Sequence, residues 1–190
     1  FDMELRTAFE EVVGFSLSEM QWEQTTLGTK CSGIGLGRAA DITDAAYLAS
    51  RADALEEFKG LDSSHVWDDG TVRADGTAAE VVGEWLLGAT QRYDARVPVS
   101  SRIREKKGEG IGKQGVLVGK LQASKWDALR EGANEVGKAR LNAAAAPRAG
   151  VWLHAPPNRA LDLKLTNAEV CSRVARRLGH ELCEEGPCPF

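Results

Sequence analysis

Apolar residues in this chain recur mainly at intervals of three and four, the period of a helix face, and only briefly at intervals of two. Phe1, Leu5, Phe9, Val12 and Val13 trace one such face, and Gly14 stands where that helix would stop. Ser18 with Gln21 three residues on is a capping box, opening a short helix that carries Met20 and Trp22. Leu27 to Gly37 then reads as a connector, because Gly28, Gly33, Gly35 and Gly37 interrupt any period. The longest periodic stretch follows, Ala39 to Phe58, with Ile42, Ala45, Ala46, Ala49, Ala52, Leu55 and Phe58 as its buried stripe and Gly60 as its stop. Its alanines have high helix propensity and allow close approach to neighbouring helices.

Residues 61–76 are turn chemistry throughout. Thr77 and Glu80 form another capping box, and Val81, Val82, Trp85, Leu86 and Ala89 predict a buried stripe on a helix ending near Gln91. Residues 92–112, with Pro98 and three glycines, read as a basic loop or linker. Val116, Leu117, Val118 and Leu121 predict the next helix face. Ser124 with Asp127 reopens helix through Trp126, Leu129, Ala133, Val136 and Leu141, until Pro147 ends it. Pro156-Pro157 forces a turn after Val151-Trp152-Leu153, since proline lacks the donor a helix needs. Residues 160–165 alternate apolar and polar, the pattern of one short extended segment. Thr166 and Glu169 then cap a last helix, on which Val170, Val174, Leu178 and Leu182 share a face and Arg173, Arg176 and Arg177 fall on or toward the other.

The fold class that follows is mainly α: an irregular bundle of about six or seven helices with one short extended segment near the C-terminus. It divides into an acidic half (1–91), the basic loop (92–112) and a basic half (113–190), within one domain overall. At 190 residues and 43% hydrophobic the chain has enough apolar mass for a core. No period of 20 to 50 residues repeats. No run approaches 18 apolar residues, and the opening FDMELR has neither a basic nor an apolar leader region, which predicts a soluble protein of the nucleus or cytoplasm. Starting mid-pattern without Met suggests a piece of something longer.

The net charge of −4 conceals a polarity: residues 1–90 hold 6 Lys and Arg against 17 Asp and Glu, residues 91–190 hold 18 against 11. A basic half can lie along a phosphate backbone and gain affinity by counterion release; equally, it can dock on the acidic half. The candidate phosphate contacts are Arg102, Arg104, Lys106 and Lys107 in the loop and Arg173, Arg176 and Arg177 on the last helix.

Other motifs fail on their spacing. Gly33-Ile34-Gly35-Leu36-Gly37 brings its third glycine one residue early for a dinucleotide fingerprint and has no strand before it. The run from Gly115 to Lys120 is one residue short of a phosphate loop, with Leu121 where a magnesium-binding hydroxyl belongs. His65, Asp68 and Asp69 are too few and too local for a closed metal site. His180, Cys183 and Cys188 supply three soft ligands without a fourth. The four cysteines, Cys31, Cys171, Cys183 and Cys188, are expected to be reduced, since a chain of this size needs no staples.

The order Val151-Trp152-Leu153-His154-Ala155-Pro156-Pro157, then a Leu-x-Leu segment, Arg176-Arg177-Leu178-Gly179 and a cysteine-bearing tail resembles the region after the polymerase core in reverse-transcriptase-like proteins of non-LTR retrotransposons. The likeness extends back through Ala45-Ala46-Tyr47-Leu48-Ala49-Ser50, the glycines of Leu27 to Leu36, and Leu17, Ser18 and Trp22. It implies a post-catalytic helical region whose parent would be an RNA-directed DNA polymerase, with RNA or an RNA–DNA hybrid as partner and an upstream polymerase domain.

The paired aspartates and magnesium ions of such a polymerase belong to its palm, in a Tyr/Phe-x-Asp-Asp turn. Here Asp68-Asp69 follow Val66-Trp67 in a polar loop, so no catalytic role, metal or cofactor is expected of this chain. The expectation is a non-catalytic fragment that assists template and primer binding. The competing expectation is a helical protein–protein scaffold or an inactive remnant of a mobile element.

Overall fold

The computed structural model describes residues 1–61, 79–103, 112–156, 158, 160 and 164–181. They form eight α-helices and two short 3-10 turns, with no strand among the described residues, so the fold is mainly α as the periodicity requires. The chain is built as two compact units: unit 1 comprises 1–38 and 125–190, unit 2 comprises 39–124. This division cuts across the acidic and basic halves, for unit 1 carries 13 basic and 14 acidic residues and unit 2 carries 11 and 14. The polarity along the sequence is therefore nearly balanced within each unit.

In unit 1, α1 (Asp2–Val13) ends at Gly14 and α2 (Glu19–Thr26) opens on the Ser18–Gln21 capping box, both halves of which are formed. A 3-10 turn over Thr29–Cys31 follows. The unit resumes in the last part of α5 (Gln114–Gly132), then α6 (Glu135–Ala145), whose first turn is capped by the Asn134 carboxamide accepting from Gly137 N–H at 2.8 Å. The short α7 (Val151–His154) precedes α8 (Asn167–Leu178), which begins at the Thr166–Glu169 capping box. Val13, Leu17, Trp22, Val174 and Leu178 form the buried core, so α1, α2 and α8 meet on their predicted apolar faces. Each fully buried side chain of this size contributes roughly 1.5–3 kcal/mol.

In unit 2, α3 (Ala39–Leu61) packs on α4 (Ala79–Asp94). Ala45, Leu48 and Ala49 meet Ala89, Tyr93, Val97, Leu117 and Leu121. The small alanines let the two helices come close, as expected of that sequence.

Several local expectations are revised. Gly60 does not stop α3, which runs on to Leu61. Residues 92–103 are not loop throughout: α4 continues to Asp94, Tyr93, Asp94 and Val97 are buried, and Pro98 leads a 3-10 turn over Val99–Ser101, while 104–111 lie outside the described residues. The physical reason is Asp94, whose carboxylate accepts the Ile103 N–H at 2.7 Å and pins the turn where composition alone suggested freedom. α5 passes through Ser124 without a break, so no new helix starts there. Trp85 and Val136, both assigned to buried stripes, are 62% and 79% exposed. The turn-rich segment at 62–76, the Thr77 half of its capping box, residues 161–163 of the extended segment and Leu182 lie outside the described residues.

Candidate functional site

The predicted phosphate contacts divide three ways. Arg173 and Arg176 are exposed, one turn apart on the water-facing side of α8, while Val174, Ala175 and Leu178 of the same helix are buried. Neither guanidinium forms a hydrogen bond or ion pair among the described residues. Arg102 is half-buried and donates from Nε to the Asp94 carbonyl at 3.2 Å, which ties it to the end of α4. Arg104, Lys106 and Lys107 lie outside the described residues, as do Cys183 and Cys188.

Arg177 has a different place from its neighbour. It is 7% exposed and donates to three backbone carbonyls: Nε to Gly33 at 3.0 Å, Nη2 to Thr29 at 3.0 Å and Nη1 to Ala149 at 3.3 Å. Burial lowers its pKa, and no carboxylate stands beside it among the described residues to offset that. The side chain that periodicity placed toward solvent is thus a fastener for two irregular segments of unit 1, and it is withdrawn from the exposed set. Its own carbonyl accepts from Gln24 Nε2 at 3.0 Å and from Arg140 Nη1, while Arg140 Nη1 also reaches Gln24 Oε1 at 2.8 Å. Arg140 is lowered in pKa by burial as well.

Two glycines are required by this arrangement. Gly33 passes so near the Leu27 carbonyl that a Cβ would overlap it. Gly179 takes φ 69° in the left-handed region and lies against Arg140. Gly33 of the connector therefore serves close backbone packing, and its carbonyl takes the Arg177 Nε contact.

At the start of α8 the Glu169 carboxylate accepts the Thr166 N–H at 2.7 Å and the Thr166 hydroxyl at 2.9 Å. These bonds hold its pKa below the usual carboxylate range, the backbone one first. Arg173 adds a smaller pull in the same direction. α8 thus starts on a fixed anion and leads to two exposed cations.

Sequence reasoning missed a second charged cluster, in unit 2. Asp44, 6% exposed, accepts from Arg92 Nη2 at 2.7 Å and Nε at 3.0 Å, and lies 3.6 Å from Arg96 Nη2. Arg96 also donates to Asp41 at 3.2 Å and to the Ala40 carbonyl at 3.0 Å. The signal was present: aspartates at 41 and 44 and arginines at 92 and 96 each recur with helical spacing, the aspartates on α3 and the arginines at and just past the end of α4. Asp44 holds the guanidinium of Arg92 by its Nε edge and raises its pKa, first through that hydrogen bond.

Among the described residues no three His, Cys, Asp or Glu side chains converge, and no helix is long and apolar enough to cross a membrane. Cys31 and Cys171 are free thiols, the former raised in pKa by burial. No protein-family model, curated protein or solved structure matches the chain.

Proposed function

We propose that this chain is a non-catalytic helical module that grips a nucleic-acid backbone, assisting template and primer binding beside an RNA-directed DNA polymerase domain. The observation that carries the reading is the pair Arg173 and Arg176, left exposed and without a hydrogen bond among the described residues by a helix whose opposite face is anchored in the core. An exposed guanidinium outside any hydrogen bond has its donors available to a phosphate, and a rigid helix holds both at a fixed separation. The contact is to phosphates, so it is indifferent to sequence and weakens with salt. The basic loop residues Arg104, Lys106 and Lys107 would add to it.

The test is the affinity of the full chain for an RNA–DNA hybrid as salt is varied. Substituting Arg173→Ala with Arg176→Ala reduces the steepness of the salt dependence by about one unit per arginine and weakens binding uniformly across sequences. Unchanged affinity in that variant overturns the reading. Stable self-association together with indifference to nucleic acid supports the scaffold in its place.

A further inference from the structure

Unit 2 carries an open groove of about 270 Å³ lined by Thr43, Asp44 and Tyr47 of α3 and by Trp85, Ala89 and Arg92 of α4. Trp85, 62% exposed, stands at its rim. Seven residues along α4, on the same face, lies Arg92. Its Nε and Nη2 are held by Asp44, and Nη1 makes no hydrogen bond among the described residues. Gly88 lies between them, where a Cβ would stand 3.2 Å from Nη1, so its absence lets the guanidinium lie along the helix.

The size and chemistry of the groove restrict its occupant. Its lining combines Ala89 and the aromatic residues Tyr47 and Trp85 with Thr43 and the Asp44–Arg92 pair. A docking helix needs apolar anchors on successive turns, which this groove does not offer. One planar group fits, with an anion next to it for the open edge of Arg92. We propose that the groove binds one unpaired nucleotide of a single-stranded nucleic acid, the base stacked on Trp85 and a flanking phosphate on Arg92 Nη1. Base–aromatic stacking tolerates any sequence, because every base has a π face. Asp41 and Asp44 balance Arg92 and Arg96, so stacking supplies most of the affinity and the salt dependence is shallow, roughly 0.7 per phosphate engaged. The proposal concerns a different site from α8 and stands whether or not α8 grips a duplex.

The experiment follows the anisotropy of a labelled ten-nucleotide single-stranded RNA titrated with the full chain. It is done in the Arg173→Ala, Arg176→Ala background, so that α8 cannot contribute. Trp85→Ala is expected to weaken binding about tenfold or more, and Trp85→Phe, which keeps a flat ring, to restore it to within about threefold. Far-UV circular dichroism should be the same for all three proteins, since the indole is largely in water. Equal affinity of the Trp85→Ala variant and its parent overturns the proposal. So does equally tight binding of free adenosine monophosphate, which marks a small-molecule pocket, or Trp85-dependent capture of an acidic leucine-containing peptide in place of RNA. Failure of the α8 reading shows separately, as hybrid binding that ignores Arg173 and Arg176 while the Trp85 ratio on single strands persists.

Discussion

The two units bury charge of opposite sign for the same purpose. Unit 1 encloses a cation, Arg177, and spends it on the carbonyls of Thr29, Gly33 and Ala149. Unit 2 encloses an anion, Asp94, fully buried, which accepts the Ile103 N–H. In both places backbone in an irregular stretch, where no helix ladder takes up the peptide groups, is bonded to the charge. A buried peptide group without a partner costs about 1–3 kcal/mol, so a charged side chain aimed at several of them acts as the missing secondary structure. The sign follows from which backbone groups need a partner: carbonyls around the glycine connector, an N–H after the 3-10 turn. This also explains how Arg177 tolerates burial without an ion pair among the described residues, since three carbonyl dipoles stand in for a carboxylate.

The comparison breaks first at Arg177. Arg177→Ala removes three donors at once and leaves a cavity in the middle of unit 1, for an expected loss of roughly 3–5 kcal/mol. Arg177→Lys recovers little, because an ammonium cannot span three divergent carbonyls as a planar fork does. Urea unfolding, followed by circular dichroism, checks both. Hydrogen exchange should localise the damage to the segments around residues 28–35 and 146–150. A wild-type midpoint for Arg177→Ala would mean that these carbonyls find other partners and that the fastener has no structural weight.

A smaller effect sharpens the contrast from the side of unit 2. The Tyr93 hydroxyl is buried, donates to the Leu117 carbonyl at 3.2 Å, and has its pKa pushed up to about 12, by burial first and by Asp94 second. The unfolded value is near 10. Because the folded value is the higher, the stabilisation is complete below pH 10 and is lost as pH rises through 12, about 2–3 kcal/mol in all. Tyr93→Phe lacks this proton. It is expected to be about 1 kcal/mol less stable than wild type at pH 8, where the hydrogen bond is missed, and more stable above about pH 11. Denaturant unfolding of both proteins from pH 8 to 11.5 should show the curves cross. Parallel curves would place the phenol in water.

The helical layout was legible because caps and apolar periods are local. Ser18–Gln21, Thr166–Glu169 and Gly14 all mark helix ends where the sequence put them. What the sequence hid was decided by distant partners. Pro98 and nearby glycines spoke for a loose linker, yet Tyr93, Val97 and Ile103 pack on residues of α3 and α5, and the turn between them is fixed by a single carboxylate. Trp85 carries the largest apolar side chain on its helix and was assigned to the core, but Leu86, Ala89 and Tyr93 take that face and turn the indole outward. Periodicity separates a buried stripe from an exposed one by steps of 100°. It cannot order side chains at the margin, where Trp85 and Arg177 both sit. For the candidate site this mattered more than for the fold: Arg173 and Arg176 were found by helical spacing, whereas Arg177 required knowing that three carbonyls were waiting for it.

Arg176 supplies the smallest predicted stability effect. It shares charge, shape and helix with Arg177, and one step of 100° separates them. Arg176 is exposed, without a hydrogen bond or ion pair among the described residues. Its only structural asset is its place in the last turn of α8, where a cation meets the negative end of the helix dipole, a term of about 0.3–1 kcal/mol that salt screens. Arg176→Ala is therefore expected to lower stability by about 0.5 kcal/mol or less at physiological salt, against several for its neighbour. Paired urea titrations of the two alanine variants measure the difference directly. If Arg176→Ala proved as damaging as Arg177→Ala, then Arg176 would be structural too, and the weakened hybrid binding expected of the α8 double variant would report a loosened helix rather than lost phosphate contacts.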